Sequence, residues 1–256
     1  MAFIRGVSVD VIGAGDPVVL LHGIGGHAGS CGPLAGQLAA HGFRTLSWDA
    51  PGYGASDDRD FGALDHATEV VAILEELATG RVHLFGTSWG GVIATQIAAA
   101  RPDLVRTLVL ADSTRGSGTS PEKARAMRAR VEELSALGAG AFAAARSARL
   151  VSPTCPPEVT QSVTEGMGRV RSLGYTAAAD HMARTDLTAL LPTPVTPTPV
   201  LVGADDVVTG VAESRFLAQH IRGARLIVVP EAGHAALQEK PDVMAGHILT
   251  FWKGSA

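Results

Sequence analysis

The segment Gly86-Thr87-Ser88-Trp89-Gly90-Gly91 restricts what this chain can fold into more than any other. It has the form G-x-S-x-G, a sharp turn that carries a serine between a strand and a helix. Its flanks fit that context. Arg81-Val82-His83-Leu84-Phe85 is a short apolar run of buried-strand type, and Val92-Ile93-Ala94-Thr95-Gln96-Ile97-Ala98-Ala99-Ala100 is an Ala-rich helix closed by Arg101-Pro102. The turn strains the serine backbone and brings strand and helix close together, so Gly86 and Gly90 serve sterics rather than chemistry.

A serine hydroxyl attacks a carbonyl only if a base takes its proton, and the base needs an acid to orient it. In this architecture both follow the serine, acid first and histidine last. Of nine histidines, His234 follows a late strand, Arg225-Leu226-Ile227-Val228-Val229-Pro230, in the turn Glu231-Ala232-Gly233. His220 and His247 fall on apparent helices and read as surface residues. Three aspartates compete for the acid. Asp205 and Asp206 follow the strand Pro199-Val200-Leu201-Val202-Gly203, and Asp112 follows Thr107-Leu108-Val109-Leu110-Ala111. Asp206 is favoured, and Asp205 is expected to bond its own turn backbone. The strand Val18-Val19-Leu20-Leu21 runs into His22-Gly23-Ile24-Gly25-Gly26, a loop able to aim a backbone N–H at a developing oxyanion. The two expected donors are the main-chain N–H groups of Ile24 and Trp89. His22 reads as a residue that braces this loop. No Gly-Lys-Ser/Thr follows these glycines and no G-x-G-x-x-G opens a helix, so phosphate cradling is not indicated.

Five motifs together resemble the α/β-hydrolase superfamily: His22-Gly23-x-Gly25-Gly26, Asp49-x-Pro51-Gly52-Tyr53-Gly54-x-Ser56, Gly86-x-Ser88-x-Gly90-Gly91, Gly203-x-x-Asp206 and Gly233-His234. The resemblance runs from about residue 3 to 253. It implies an α/β fold with a mostly parallel central sheet flanked by helices, and it supports Asp206 as the acid, although some members place the acid where Asp112 stands. Within the superfamily the chain is most similar to the 3-oxoadipate enol-lactonase type and related small-ester hydrolases, through Trp48-Asp49-Ala50-Pro51-Gly52-Tyr53-Gly54 and Leu110-Ala111-Asp112-Ser113. It departs at Trp89, where many relatives carry methionine.

Alternating strand and helix patterns up to residue 112 imply a parallel sheet covered by helices: strands Val7–Ile12, Val18–Leu21 and Phe43–Trp48, helices Gly32–His41 and Leu64–Ala78. Between Thr114 and Leu191 the pattern is helical only, with helices expected over Glu122–Leu137, Ala139–Ala148 and Glu158–Arg171. The expected organisation is a core of residues 1–113 and 192–256 and a helical cap of residues 114–191. The return segment 192–199 holds four prolines, which favours a stiff extended connector. The cap segment carries ten basic and seven acidic residues, net +3, against −7 for the rest. A basic lid could steer an anionic substrate, with Arg115 and Arg184 at the two junctions as the expected substrate contacts.

Cys31 and Cys155 lack disulfide-framework or metal-ligand spacing and read as small apolar residues in a reducing compartment. No cofactor and no metal is expected. A net charge of −4 without a basic cluster argues against nucleic acid, and no apolar run reaches membrane-span length. The start of the chain lacks the apolar stretch of a signal peptide, so a soluble cytoplasmic protein is expected. The leading reading is hydrolysis of a small ester or lactone through an acyl-serine. Alternatives are carbon–carbon bond hydrolysis of the meta-cleavage type, acyl transfer or perhydrolysis, and a non-catalytic ligand-binding protein on the same fold. Thr87 stands where meta-cleavage relatives often have asparagine.

Overall fold

The computed structural model describes residues 1–59, 64–77 and 79–254. Eight strands form one sheet: β1 (Ala2–Ile4), β2 (Val7–Ile12), β3 (Asp16–Leu21), β4 (Phe43–Trp48), β5 (Val82–Thr87), β6 (Val105–Ala111), β7 (Pro199–Gly203) and β8 (Arg225–Val229). Their lateral order is β1-β2-β4-β3-β5-β6-β7-β8. β2 pairs antiparallel with β1 and with β4, and every pairing from β4 to β8 is parallel. The β1–β2 hairpin turns on Arg5 and Gly6, both at positive φ (51° and 77°), the backbone that a two-residue turn between twisted strands demands.

The helices are α1 (Gly32–Ala40), α2 (His66–Glu76), α3 (Trp89–Ala100), α4 (Pro121–Arg146), α5 (Pro157–Met167), α6 (Ser172–Arg184), α7 (Gly210–His220), α8 (Ala236–Glu239) and α9 (Pro241–Lys253). Side chains alternate across a strand, so the central strands divide their apolar residues between two helical layers. Val18, Leu20, Phe85, Val109 and Leu201 pack with α1 and α9 residues such as Leu34, Leu38 and Ile248. Val19, Leu21, Leu84, Leu108 and Val200 pack on the other side with Val92, Ile93 and Ile97 of α3 and Val70 and Ile73 of α2. Burial on both faces is why these strands read as unbroken apolar runs. Asp65 caps α2 by accepting the Thr68 N–H at 2.9 Å, so this helix starts two residues later than the pattern suggested; Ala78, its expected end, lies outside the described residues.

Helices α4 to α6 fall between β6 and β7. α4 is two arms joined at Gly138, whose φ of 74° and ψ of 160° are not helical, so the break falls between the two expected helices Glu122–Leu137 and Ala139–Ala148; the second arm gives way at Ser147 to a 3₁₀ turn over Ser147–Arg149. The helix expected over Glu158–Arg171 stops at Met167, because Gly168 closes it by bonding back to the carbonyls of Thr164 and Gly166. Arg171 is extended instead, and its guanidinium binds the carbonyls of Gly52 (3.0 Å) and Ser56 in a core loop. A further helix, α6, follows.

Candidate active site

Ser88 lies between β5 and α3 with φ 52° and ψ −117°, a strained backbone for a residue with a side chain. Its surroundings hold it there. The Ser88 N–H bonds the Ala111 carbonyl at 3.0 Å, and the Ser113 hydroxyl bonds the Ser88 carbonyl at 3.0 Å. A Cβ on Gly86 would strike the Gly90 carbonyl, and one on Gly90 would strike the Leu21 carbonyl. Glycine at both places lets β5, α3 and the end of β3 meet.

The turn after β7 and the turn after β8 interlock. Asp205 donates its N–H to the Ala232 carbonyl at 2.9 Å, and a Cβ on Gly203 would collide with the carbonyls of Ala232 and Gly233. That approach brings Asp206 to His234, whose Nδ1 is 3.0 Å from Asp206 Oδ2. The other Asp206 oxygen accepts the N–H groups of Val208 (2.7 Å) and Thr209 (3.1 Å), and Oδ2 also accepts the Thr209 hydroxyl at 2.6 Å. Burial opposes ionisation of this carboxyl. The bond and charge of His234, the Thr209 hydroxyl and the Val208 N–H outweigh it and hold the pKa well below the usual range. An ionised acceptor requires Nδ1–H on His234, which leaves Nε2 free to act as a base.

The competing aspartates are otherwise engaged. Asp112 is fully buried and accepts the Gly203 N–H at 2.8 Å. Burial, then the charge of Asp206, push its pKa well above the usual carboxylate range. The carboxylate of Asp205 makes no hydrogen bond among the described residues; the turn-bonding role expected of it belongs to Asp206, and Asp205 contributes through its main chain.

His22 accepts the Ala50 N–H on Nε2 at 3.1 Å, so Nδ1 carries the proton and donates to the Gly23 carbonyl at 2.8 Å. The Gly26 N–H reaches the same carbonyl at 2.9 Å, and the Tyr53 hydroxyl donates to the Ile24 carbonyl at 2.9 Å. In a planar trans peptide the C=O and N–H point opposite ways, so fixing the Gly23 carbonyl fixes the Ile24 N–H. Burial keeps His22 neutral, with its pKa lowered to about 4. Asp49 holds the next turn by accepting the N–H groups of Ala28 (2.7 Å) and Ala55 (3.0 Å). The Trp89 N–H is the first of α3 and has no partner within the helix. Its indole points elsewhere: Nε1–H donates to His181 Nδ1 at 2.9 Å, and the ring meets His66 edge-on at 4.9 Å.

Ser88, His234 and Ile24 line one cavity. From the α4–α6 segment come Arg130, Arg146, Arg149 and Tyr175, with apolar walls from Leu150, Val163 and Met167. Arg115 and Arg184, the expected substrate contacts, are not among the lining residues. Arg115 is held by both oxygens of Glu213 (2.9 and 3.0 Å) and lies over the Phe216 ring, while Arg184 is exposed and paired with Asp180. Both are satisfied by neighbouring helical residues, a pairing that distance from the chain junctions could not reveal.

Sequence reading also passed over Glu239. It is buried and bridges the two parts of the chain, accepting the N–H of Gly233 and of Ser152, each at 2.8 Å. With the Ala235 N–H on the Leu150 carbonyl (2.7 Å), it fastens the His234 turn to the segment after α4. The available signal was an acid five residues past His234, beyond the apolar Ala235-Ala236-Leu237.

Residues 16–241 match the family model for the alpha/beta hydrolase fold. A pimeloyl-[acyl-carrier protein] methyl ester esterase of Chromobacterium violaceum is 30% identical over 258 residues, covering 94% of this chain and 98% of that protein. A 3-oxoadipate enol-lactonase 2 of Acinetobacter baylyi is 26% identical over 201 residues, covering 77% and 73%. The malate-bound structure of an esterase from Thermogutta terrifontis superimposes with a TM-score of 0.89 at 28% identity, over 97% of this chain and 93% of that one. With a family match across most of its length, a mostly parallel eight-stranded sheet and a serine on the β5–α3 turn, the chain is an enzyme of the alpha/beta hydrolase family.

Proposed function

We propose that the protein hydrolyses a small ester or lactone through an acyl-serine. Ser88 attacks the carbonyl and His234 Nε2 takes its proton. Asp206 fixes the histidine tautomer and stabilises the imidazolium, while the N–H groups of Ile24 and Trp89 receive the oxyanion. His234 then returns the proton to the leaving alcohol, and water releases the acid by the same route. The observation that carries this reading is the 3.0 Å bond from His234 Nδ1 to an ionised, buried Asp206, with Ser88 and His234 lining the same cavity. The esterase and enol-lactonase relatives favour ester or lactone chemistry. Residues 114–191 are read as a cap, because their helices supply part of the lining of the cavity that Ser88 and His234 share. The unpaired Cys31 and Cys155 suit a reducing compartment. Among the described residues no helix is long and apolar enough to cross a membrane.

The test is labelling by a p-nitrophenyl phosphonate, read by peptide mass, together with turnover of p-nitrophenyl acetate. Mass should appear on Ser88 alone, and Ser88→Ala should lose both labelling and turnover while keeping its fold by circular dichroism. A folded Ser88→Ala protein with wild-type turnover refutes the proposal.

A further inference from the structure

The cavity that Ser88 lines holds more positive charge than the described residues neutralise. Three guanidiniums line it: Arg130 and Arg146 from the two arms of α4, and Arg149 from the turn that follows. Glu133 and Arg146 are thirteen residues apart, about 20 Å along a straight helix. Yet Arg146 binds Glu133 through two nitrogens, at 2.6 and 3.1 Å. The break at Gly138 folds the arms back on each other and makes the cluster.

Among the described residues, only Arg146 of the three has a carboxylate partner. Its guanidinium also lies over the Phe142 ring (5.0 Å), which in turn packs edge-on against Tyr175 (5.4 Å). Arg130 has the neutral Tyr175 hydroxyl as a neighbour in the cavity lining rather than a carboxylate. Burial, and then the charges of Arg146 and Arg149, lower its pKa, yet a guanidinium stays charged at neutral pH. Arg149 makes no ion pair among the described residues. Two cationic forks therefore face a cavity whose nearby walls, Val163 and Met167, are apolar and supply no counter-charge. Arg130 is half-buried without a charged partner, which favours an anion; Arg149 is exposed at the same cavity and adds a second planar fork that matches a carboxylate.

We propose that Arg130 and Arg149 bind a carboxylate on the substrate, so that the preferred ester or lactone carries an acid group remote from its scissile carbonyl. This rests on the Ser88 hydrolase reading for its reaction but not for its binding. Arg146, tied to Glu133, orients the cluster through Phe142 and Tyr175.

The experiment compares kcat/KM for acid and neutral partners: the monomethyl and dimethyl esters of adipic acid, and 4-acetoxybutanoate with its methyl ester. These place the acid on the acyl side or on the alcohol side. Wild type should favour the acid by about tenfold to hundredfold in at least one pair. Arg149→Gln and Arg130→Gln should each lower that ratio about tenfold or more, whereas Arg184→Gln and Arg125→Gln, outside the cavity, should keep it. Arg149 is exposed, so its replacement tests the idea even if Arg130→Gln does not fold. Calorimetry with adipate on the wild type and on Ser88→Ala reads the site without turnover; both should bind, and Arg149→Gln should bind at least tenfold more weakly. Neutral esters hydrolysed as well as their acids, with no adipate binding, overturn the proposal and leave the esterase reading standing. Adipate binding without turnover of any ester overturns the esterase reading and leaves the anion site.

Discussion

Replacing Asp206 by asparagine changes one atom, and the structure dictates which way the new amide must face. Asp206 Oδ1 sits on two N–H donors, Val208 at 2.7 Å and Thr209 at 3.1 Å. An amide nitrogen cannot occupy that place without setting donors against donors. The oxygen therefore stays at Oδ1 and the NH₂ takes the Oδ2 place, 3.0 Å from His234 Nδ1. There it donates to Nδ1, which must lose its hydrogen, and the imidazole proton moves to Nε2. A histidine protonated on Nε2 cannot accept the Ser88 proton. The productive arrangement needs the amide turned over, leaving two backbone N–H groups unsatisfied at about 1–3 kcal/mol each. That is about 2–6 kcal/mol, or a productive fraction between about 1 in 30 and 1 in 10⁴. The upper end matches the loss of about 10⁴ known for the same change in a serine protease. The assay is kcat on p-nitrophenyl acetate, paired with ¹⁵N NMR of the His234 ring. The expected result is a fall of 30-fold or more with the proton on Nε2, and an Asp205→Asn control within a few-fold of wild type. An Asp206→Asn enzyme within a factor of about three, its proton still on Nδ1, would falsify the tautomer argument.

Asp112→Asn should keep activity within about tenfold, because an amide oxygen still accepts the Gly203 N–H. Its stability should exceed wild type at pH 7. The raised carboxyl pKa means the folded state holds a proton the unfolded chain has lost, so wild-type stability falls as pH rises above about 4. Urea midpoints should therefore converge near pH 3; a difference independent of pH would refute this. His66 works in the opposite sense: burial first, then His181, lowers its pKa to about 3. Below about pH 6.5 the unfolded chain takes up a proton that the folded one refuses, so stability drops toward pH 4. His66→Phe should flatten that slope in urea titrations between pH 7 and 4.5, and an unchanged slope counts against it.

The fold was legible because its signals are local. Strand β4 and strand β7 have the bounds their apolar runs suggested, and the G-x-S-x-G turn has the strand and helix its glycines require. Helix α6 was missed although its signal was present: Tyr175, Ala178, Ala179, Met182 and Ala183 are buried at helical spacing. Alanines dominate that stripe, and a weakly apolar stripe is hard to tell from a polar helix face. The charge of the α4–α6 segment was also legible, but not its direction. Composition gave a basic segment, and position along the chain then favoured Arg115 and Arg184, the residues nearest the core. In space these are matched by Glu213 and Asp180, whereas Arg130 and Arg149 reach the cavity because Gly138 doubles α4 back on itself. One glycine with φ 74° decides which arginines face the serine. The break itself was legible, because the expected helices end at Leu137 and resume at Ala139; the direction in which the second arm folds back is set by packing against α6 and not by any local rule.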